Sequence, residues 1–515
     1  MESIRELLDF IKTEYKDLPA LKWPDKGLVN QKTYEELVES AMQIRKGLSA
    51  EGFSGNNLAI IGFSSCSWLE AFFSITSGNN TAVLLDPLLP SNDLTELLIR
   101  SDSRAVFLDS SKINLISDIR KECPLVEKIY LLDDGDDQSE EYKNLSYLRK
   151  AGIDAEDVPG NGGDTLAMII FTSGTTGKSK GVMLTQKNLL SNVEAVEYDP
   201  LPGRVVLSVL PIHHAYCLVM DYLKGFSLGS TVCINDSFMH MVKNMQLFKP
   251  HVMLMVPMML ETIYKRLNSS AKLLPKKLVA TKVFGGNLTT VFSGGAHLDP
   301  SYIDKFREYG INIYEGYGMS ECSPVISSNT PSNNKDGSVG KVLKNAEVRF
   351  EDGEILVRST SVMRGYYKEP YETAKTLEDG WLHTGDKGYM DEEGYLYING
   401  RIKNLIILSN GENVSPEEIE SKLSQYPVIS EIIVTGDGNG LTARIYPDQD
   451  ILAKKKLSDE KLEEMLQKII DEYNLSQPTY RRIAHIVIRQ NPFLRNTTKK
   501  ILRQYALEDC VKKAQ

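Results

Sequence analysis

The sequence is poor in cysteine and tryptophan, has no excess of positive charge and contains no long apolar run. Its 515 residues include six scattered cysteines and no Cys-x-x-Cys pair, which disfavours a disulfide framework or a zinc site. Lysine and arginine number 59 against 69 acidic residues, and the net charge of −10 argues against non-specific nucleic-acid binding. No apolar run approaches the ~20 residues of a membrane span. We therefore expect a cytoplasmic protein with no transmembrane segment.

The overall pattern is that of an α/β protein. The length corresponds to roughly three or four domain-sized units, and 42% of the residues are hydrophobic, as in ordinary globular proteins. The first helix places Ile4, Leu7, Leu8 and Ile11 on one face. After it, apolar strand patterns alternate with helical patterns, and this alternation predicts parallel sheets flanked by helices.

The stretch Met168–Gly181, MIIFTSGTTGKSKG, is the most informative part of the chain. An apolar run that predicts a buried strand stops abruptly at a turn rich in glycine and hydroxyl groups. Glycines let backbone N–H groups approach an anion closely, and a concave set of such groups binds phosphate. The hydroxyl groups of Thr172, Ser173, Thr175 and Thr176 and the charge of Lys180 strengthen this hypothesis.

Two alternatives apply to this loop. Gly177-Lys178-Ser179 resembles the end of a P-loop, but the P-loop spacing requires glycine where Thr172 stands. A solvated loop is the other alternative, and for a glycine-rich loop considered alone it is the more common outcome. The remaining motifs therefore have to decide between phosphate binding and a plain surface loop.

Further glycine-rich turns follow predicted strands along the chain. Ser293-Gly294-Gly295-Ala296 lies beside the C-terminal end of one strand, and Glu315–Glu321 follows the next. In open α/β sheets, ligands bind at those ends. From Gly337 the pattern changes to β-hairpins, which predict a small β-barrel-like part. A last α+β unit of about 115 residues follows Gly400, so we predict domains at 1–400 and 401–515.

Taken together, these motifs resemble the adenylate-forming acyl-CoA synthetase superfamily over essentially the whole chain, most of all its long-chain fatty acid–CoA ligases. They occur in the family's order and at similar spacing: TSGTTGKSKG, SGGA, YGMSE, WLHTGD, GRIKN, SNGENVSPEE and NTTKKILR. One such motif is weak evidence, whereas the ordered set is highly specific. The resemblance implies a large N-terminal domain of parallel sheets and a small mobile C-terminal domain, with a hinge near Lys403.

The resemblance also implies a two-step reaction that uses ATP, Mg²⁺ and coenzyme A. A carboxylate attacks the α-phosphorus of ATP to give an acyl-adenylate and pyrophosphate, and a thiol then displaces AMP. The first step brings an anion to a polyanion, so it requires fixed positive charge and hydrogen-bond donors where charge develops.

Individual roles are implied by the same resemblance. Lys500 is the expected catalytic lysine, Glu321 the expected Mg²⁺ ligand, and His214 flanks the acyl site and gates entry of the carboxylate. The residues expected to bind the nucleotide are Thr172, Ser173, Gly174, Thr175, Thr176, Lys180, Gly294, Gly295, Ala296, Glu315, Gly316, Tyr317, Gly318, Ser320, Asp386 and Arg401. Four positions depart from the family's usual pattern: Ser179 replaces proline, Ser320 replaces threonine, and Asn410 and Lys499 each replace glycine.

The acid and its acceptor are less closely defined by the sequence. Relatives that activate amino acids carry an aspartate where this chain has Ala215, and apolar residues follow it, so we expect a small-molecule carboxylic acid with an apolar chain. The leading hypothesis is a fatty acid–CoA ligase. A ligase that loads a carrier protein is the alternative, and a catalytically inactive nucleotide-binding protein is a third. Ser409–Asn413 is expected to face the thiol tunnel.

Overall fold

The computed structural model describes residues 1–135, 139–160, 162–172, 179–198, 202–270, 275–408, 413–437, 440–495 and 501–507. The chain divides into two compact units. The first contains Met1–Arg349 and Leu356–His383, and the second contains Phe350–Ile355 and Thr384–Gln515. Among the described residues, no helix combines the length and apolarity that crossing a membrane requires.

Two large sheets form the framework of the first unit. The nine-stranded sheet has the spatial order Lys341–Val342, Val325–Ser328, Asn312–Gly318, Thr290–Ser293, Val252–Met255, Val205–Ser208, Thr231–Ile234, Pro19–Asp25 and Leu28–Thr33. The eight-stranded sheet has the order Gly365–Tyr366, Lys180–Thr185, Leu166–Thr172, Thr81–Leu85, Asn57–Ile61, Ser103–Leu108, Lys128–Leu131 and Lys143–Asn144. Their central strands are parallel, as the alternation of strands and helices predicts.

Helices cover these sheets. They are Ile4–Tyr15, Tyr34–Ala50, Cys66–Thr76, Ser91–Arg100, Leu115–Glu122, Leu145–Gly152, Gln186–Ala195, Gly225–Ser227, Met241–Phe248, Pro257–Ser270, Lys276–Phe284, Ser301–Arg307 and Pro370–Thr376, with a π-helix at Tyr216–Lys224. The residues Thr33-Tyr34-Glu35-Glu36 have the spacing of a capping box, and the structure forms one: the Thr33 hydroxyl accepts from the N–H of Glu36, and the Glu36 carboxylate accepts from the N–H of Thr33. The apolar face of the first helix is fully buried.

The alternation of side chains along the strands sets the layers. Leu58 and Ile60 point into a core of helices shared with the nine-stranded sheet, whereas Ala59 and Ile61 point into a second core on the opposite face. The nine-stranded sheet has its own outer core, which includes Met253. The first unit is therefore layered as helix, sheet, helix, sheet and helix.

A five-stranded sheet is the small β-rich part that the hairpin pattern predicts, and the division between the units falls within its strands. Its strands are Ala346–Glu351, Glu354–Ser359, Trp381–Met390, Leu377–Glu378 and Leu396–Arg401. The rest of the second unit packs helices on a three-stranded sheet. Its elements are Ile406–Ile407, Asn413–Val414, Pro416–Leu423, Ile429–Asp437, Gly440–Pro447, Gln449–Lys455, Asp459–Leu475 and Ile483–Ile488.

Candidate active site

The predicted phosphate loop connects the two strands of a β-hairpin. Leu166–Thr172 is a strand whose Met168, Ile169 and Ile170 are buried, and it pairs antiparallel with Lys180–Thr185. Thr172 and Lys180 face each other at the end of the hairpin where the loop begins and ends. Ser173, Gly174, Thr175 and Thr176 lie outside the described residues. The structure thus places the two ends of the loop side by side, at the ends of two paired strands of the eight-stranded sheet.

Lys180 contacts two side chains beside the loop. Its ammonium group forms an ion pair with Glu372 and lies over the ring of Tyr366, 5.0 Å from the centroid. The hydrogen bond from Lys180 holds the pKa of Glu372 below its ordinary value. Arg100 adds a second positive charge nearby and donates to the carbonyl of Ser179 at 2.7 Å. The cationic side chains of Lys180 and Arg100 therefore both lie beside the end of the predicted phosphate loop.

Tyr366 joins Lys180 to Glu321. The Tyr366 hydroxyl donates to Oε1 of Glu321 at 2.9 Å, although the two residues are 45 positions apart in the sequence. Burial raises the pKa of Tyr366, and the neighbouring Glu321 carboxylate raises it further, so the hydroxyl stays protonated and acts as a donor. One tyrosine thus contacts both residues, with the predicted phosphate lysine over its ring and the predicted metal ligand at its hydroxyl.

Glu321 is held in a rigid turn. Its backbone carbonyl accepts from the N–H of Met363 at 2.8 Å. Asn192 then fixes the following residues, donating to the carbonyl of Val325 at 2.8 Å and accepting from its N–H. Gly318 is required at the start of this turn, because a Cβ there would lie 1.8 Å from the carbonyl oxygen of Pro324. The buried carboxylate of Glu321 therefore has little freedom to reorient.

The next residues expected to bind the nucleotide lie at the ends of two adjacent parallel strands. Gly294 follows Thr290–Ser293, and a Cβ at this position would contact the ring of Tyr216 at 3.3 Å. Gly295 has φ +82°, which favours glycine, and it is exposed together with Ala296. These strand ends form the type of ligand-binding edge expected in an α/β sheet.

The neighbouring strand Asn312–Gly318 carries Glu315, Gly316 and Tyr317. Glu315 is buried, and its desolvation raises the pKa of the carboxyl group to about 8. Gly316 and the half-buried Tyr317 pair antiparallel with Ser328 and Ser327. Ser320, also half-buried, opens the short 3₁₀ turn that contains Glu321. These predicted residues therefore lie on one strand and the short turn that follows it.

His214 belongs to a histidine pair. The rings of His213 and His214 lie 4.3 Å apart, and Nε2 of His213 lies 3.6 Å from a carboxylate oxygen of Asp86. Asp86 directly follows the strand Thr81–Leu85, so the pair lies where a strand of each large sheet ends. The π-helix Tyr216–Lys224 begins immediately afterwards, and its buried residues include Cys217, Leu218 and Val219. An apolar wall therefore lies beside the histidines.

In the second unit, Asp386 and Arg401 face each other on paired strands. Nε of Arg401 lies 2.9 Å from Oδ1 of Asp386, which is 3% exposed. The N–H of Asp386 also donates to the hydroxyl of Thr384, and this hydroxyl donates to the carbonyl of Ile355. Both residues are among those expected to bind the nucleotide, and this role stays a prediction.

Lys500 lies outside the described residues, as do Ser409, Asn410, Gly411 and Glu412. The residues that flank the segment of Lys500 are described. Arg495 and Ile501 form an antiparallel bridge, and the N–H of Leu502 donates to the carbonyl of Leu494 at 2.8 Å. Lys403 is exposed in the 3₁₀ turn Ile402–Asn404, and its role as a hinge stays a prediction.

The side chains around Glu321 suit one particular mode of magnesium binding. In the part of the chain that the structure describes, no group of three or more histidine, cysteine or acidic residues could hold a metal. A dedicated protein cage is therefore not built there. Mg²⁺ usually keeps several waters and binds through one or two carboxylates together with substrate phosphates. One fixed carboxylate beside a predicted phosphate loop is suited to that mode.

Sequence reasoning missed Tyr366 and Glu372. Both lie in MRGYYKEPYET, a stretch with a glycine, three tyrosines and a proline that suggest a turn but no partner. Their contacts depend on the short strand Gly365–Tyr366 adding to the edge of the eight-stranded sheet next to Lys180–Thr185. The sequence carries no local signal for that pairing.

Comparison with protein families identifies the family to which the chain belongs. A model described as AMP-binding enzyme matches residues 11–367, and one described as AMP-binding enzyme C-terminal domain matches residues 403–513. The chain belongs to the AMP-binding enzyme family. The predicted nucleotide-binding residues from Thr172 to Ser320 all fall within the first match, and Lys500 falls within the second.

Curated members of the family show similarity over different shares of the chain. The long-chain-fatty-acid–CoA ligase of Bacillus subtilis is 38% identical over 293 residues, which cover 53% of this chain and 50% of the relative. FadD15 of Mycobacterium tuberculosis, also named a long-chain-fatty-acid–CoA ligase, is 32% identical over 316 residues, covering 53% and 52%. The chain thus spans about half the length of these relatives.

Solved structures share the family fold across almost the whole chain. The anthranilate CoA ligase AuaEII in complex with anthranoyl-AMP has a TM-score of 0.83 at 20% identity, covering 98% of this chain and 96% of that one. O-succinylbenzoate coenzyme A synthetase (MenE) from Bacillus subtilis in complex with AMP has a TM-score of 0.77 at 24% identity, covering 99% and 98%. At these identities the likeness shows the fold.

Proposed function

We propose that this member of the AMP-binding enzyme family is an ATP-dependent acid–thiol ligase that converts a medium- or long-chain fatty acid into its coenzyme A thioester. The observation that carries the proposal is the contact of Tyr366 with both Lys180 and Glu321, which joins the predicted phosphate lysine to the predicted metal carboxylate. A surface loop without function would not need this convergence.

Two half-reactions follow from the proposal. In the first, a carboxylate oxygen of the acid bonds to the α-phosphorus of ATP while the bond from that phosphorus to the β-phosphate bridge breaks, and pyrophosphate leaves. In the second, the sulfur of the thiol bonds to the acyl carbon, the bond to AMP breaks and the thiol gives up its proton. Since a fatty acid is already ionised at neutral pH, the first step needs no general base.

The chain's own residues would serve these steps mainly by positioning and electrostatics. Lys180 and the hydroxyl-rich loop would hold the β- and γ-phosphates, and Lys500 would stabilise the charge that develops between the carboxylate and the α-phosphate. Bound Mg²⁺ would neutralise phosphate charge, with Glu321 as its protein ligand. Asp386 would accept hydrogen bonds from the ribose hydroxyls, supported by Arg401.

An apolar acid is favoured by the residues beside the histidine pair. Ala215, Cys217, Leu218 and Val219 are buried, and Ala215 supplies no carboxylate to neutralise an amino group. A buried ammonium without a counter-charge is strongly disfavoured. The names of the Bacillus and Mycobacterium relatives agree with a fatty acid. Each CH₂ buried contributes about 0.8 kcal/mol, so affinity should rise with chain length until the pocket is filled.

A carrier protein is the second candidate acceptor. A relative named long-chain-fatty-acid–[acyl-carrier-protein] ligase AEE15, chloroplastic, of Arabidopsis thaliana is 27% identical over 558 residues, which cover 85% of this chain and 75% of the relative. That match covers more of this chain than the matches to the Bacillus and Mycobacterium coenzyme A ligases, at lower identity, whereas the long-chain-fatty-acid–CoA ligase of Salmonella typhimurium covers the same 85% of this chain at 26% identity. The acceptor is therefore the part of the proposal that an experiment should decide first.

The test measures exchange of labelled pyrophosphate into ATP across a series of saturated fatty acids, with amino acids as the contrasting panel. Thioester formation is then measured with coenzyme A and, separately, with a phosphopantetheinylated carrier protein. Exchange that depends on fatty acids, followed by thioester formation with coenzyme A, supports the proposal. Exchange with amino acids alone, or no exchange with any acid, would overturn it. Product formed only with the carrier protein would identify the second candidate.

A further inference from the structure

We infer that Tyr366 is a positioning residue that orients the Glu321 carboxylate for a divalent cation and supports the Lys180 ammonium group for the phosphates. The inference rests on the proposed function, since it assigns a role within the same site. It concerns a residue that the sequence does not single out. The contacts of the tyrosine with Glu321 and Lys180 carry the argument.

The first contact is the hydrogen bond from the Tyr366 hydroxyl to Oε1 of Glu321 at 2.9 Å. A carboxylate has two oxygens, and this bond engages one of them, which fixes the rotation of the group. Residues that orient metal ligands in this way commonly change metal affinity about 10- to 100-fold when they are removed. The effect is expected here because the backbone of Glu321 is also held, by Met363.

The second contact is between the ring of Tyr366 and Lys180. The ammonium group lies 5.0 Å from the ring centroid, within the range of a cation–π interaction. Glu372 pairs with the same ammonium group from the side. The ring therefore restricts where the Lys180 side chain can lie, while its hydroxyl reaches Glu321. One side chain sets the position of a cation and of an anion together.

Tyr366 itself is firmly placed. It is 7% exposed, its strand pairs with Lys180–Thr185, and its N–H donates to the hydroxyl of Thr373 at 2.9 Å. Because its position is fixed by backbone pairing, removing the hydroxyl alone should leave the ring in place. Tyr366→Phe is therefore the informative substitution, since it deletes the bond to Glu321 and keeps the ring beneath Lys180.

The neighbouring tyrosine offers a matched control. The hydroxyl of Tyr367 donates to Asp102 at 2.7 Å and accepts from Asn57 at 3.1 Å. Tyr367→Phe thus removes a hydrogen-bonded hydroxyl from the adjacent residue without touching Glu321 or Lys180. Comparing the two variants separates loss of this particular contact from the general cost of losing a hydroxyl group.

The experiment measures binding of Mn²⁺ by electron paramagnetic resonance in the presence of α,β-methylene-ATP, an analogue that cannot transfer its adenylyl group. We expect Tyr366→Phe to weaken Mn²⁺ binding about 10- to 100-fold. We expect Tyr367→Phe to bind like the wild type. In the Glu321→Ala background, Tyr366→Phe should cause no further loss, because the group that it orients is absent. In adenylation assays, Tyr366→Phe should raise the half-saturating Mg²⁺ concentration by a similar factor.

Wild-type Mn²⁺ affinity in Tyr366→Phe, an equal loss in Tyr367→Phe, or an undiminished further loss in the Glu321→Ala background would overturn the inference. Thermal melting checks that each variant folds. If Tyr366→Phe is unstable, Tyr366→Met provides a second side chain that fills the space without a hydroxyl. The proposed function fails separately, if the wild type forms no acyl-adenylate from any acid, because the metal-binding measurement requires no catalysis.

Discussion

The carboxylate of Glu431 clamps Arg495, the residue that precedes the segment containing Lys500. Oε1 of Glu431 accepts from Nη2 of Arg495 at 2.8 Å and from Nε at 3.1 Å. Its other oxygen accepts from the N–H of Phe493 at 2.7 Å. One acidic side chain in the strand Ile429–Asp437 thus fixes both the backbone and the side chain at the start of this segment. Charge-assisted bonds of this type are the stronger ones in proteins.

Glu431→Ala should therefore slow acyl-adenylate formation, because the anchor of the segment that carries the proposed catalytic lysine is lost. Small displacements of a catalytic group can cost as much as about 100-fold, so we expect a loss of roughly 10- to 100-fold. Thioester formation from supplied acyl-adenylate should change little. Glu418→Ala, which removes the ion pair with Arg481 in the same unit, is the control. Equal losses in both half-reactions would contradict this role.

Lys500→Ala should abolish most adenylation, since a charge that stabilises the transition state is removed. Loss of one such group commonly costs about 100- to 1,000-fold. Conversion of supplied acyl-adenylate to the thioester should be spared, because that step makes and breaks bonds at the acyl carbon and not at the α-phosphorus. Lys499→Ala tests the adjacent lysine under the same conditions. A comparable loss in Lys499→Ala would show that the two lysines share the role.

Glu315 should make stability depend on pH. Its folded-state pKa of about 8 lies above the ordinary value of 4.5, because burial disfavours the charged form. Between these values the folded state binds more protons than the unfolded state, so this residue lowers the free energy of unfolding as the pH rises from about 4.5 to 8. Glu315→Gln should flatten the profile in that window. Urea denaturation at a series of pH values measures the effect, and an unchanged slope would contradict it.

Glu70 should be important for stability away from the active site. Its side chain is 1% exposed and pairs with Arg149 at 2.5 Å and with Lys32. Removing the anion deprives Lys32 and Arg149 of the buried carboxylate that they share, although Arg149 keeps its ion pair with Asp134. Breaking a buried pair typically costs about 3–5 kcal/mol. Glu70→Gln should lower the free energy of unfolding by roughly that amount. Glu39→Gln, in the exposed pair with Lys12, should cost less than about 1 kcal/mol.

Parallel sheets flanked by helices and the order of the motifs could be predicted from the sequence alone. Periodicity located the strands because side chains alternate along them, as Leu58 and Ala59 show by entering different cores. It also located the first helix through its buried face and the strand before the glycine-rich turn. These features are local, since they depend on residues a few positions apart. Motif order then identified the family.

Local rules failed where a distant or competing contact was stronger. The sequence Ser415-Pro416-Glu417-Glu418 predicts a capping box, yet the Ser415 side chain makes no cap hydrogen bond. Its hydroxyl instead donates to the carboxylate of Glu417 at 3.2 Å, and Gly400 packs closely against it. The helix begins at Pro416 as expected, but the predicted bond is wrong because the hydroxyl is already engaged.

The contacts between side chains in the candidate site could not be predicted without the three-dimensional fold. Tyr366 reaches Glu321 across 45 positions, Lys180 reaches Glu372 across 192, and Arg495 reaches Glu431 across 64. These contacts depend on how the strands pair and on where a short edge strand joins the sheet. Periodicity along the sequence carries no information on such pairing, because it describes neighbours on one element. The predicted site residues therefore come from the sequence, whereas the fold adds Tyr366, the tyrosine that contacts both Lys180 and Glu321.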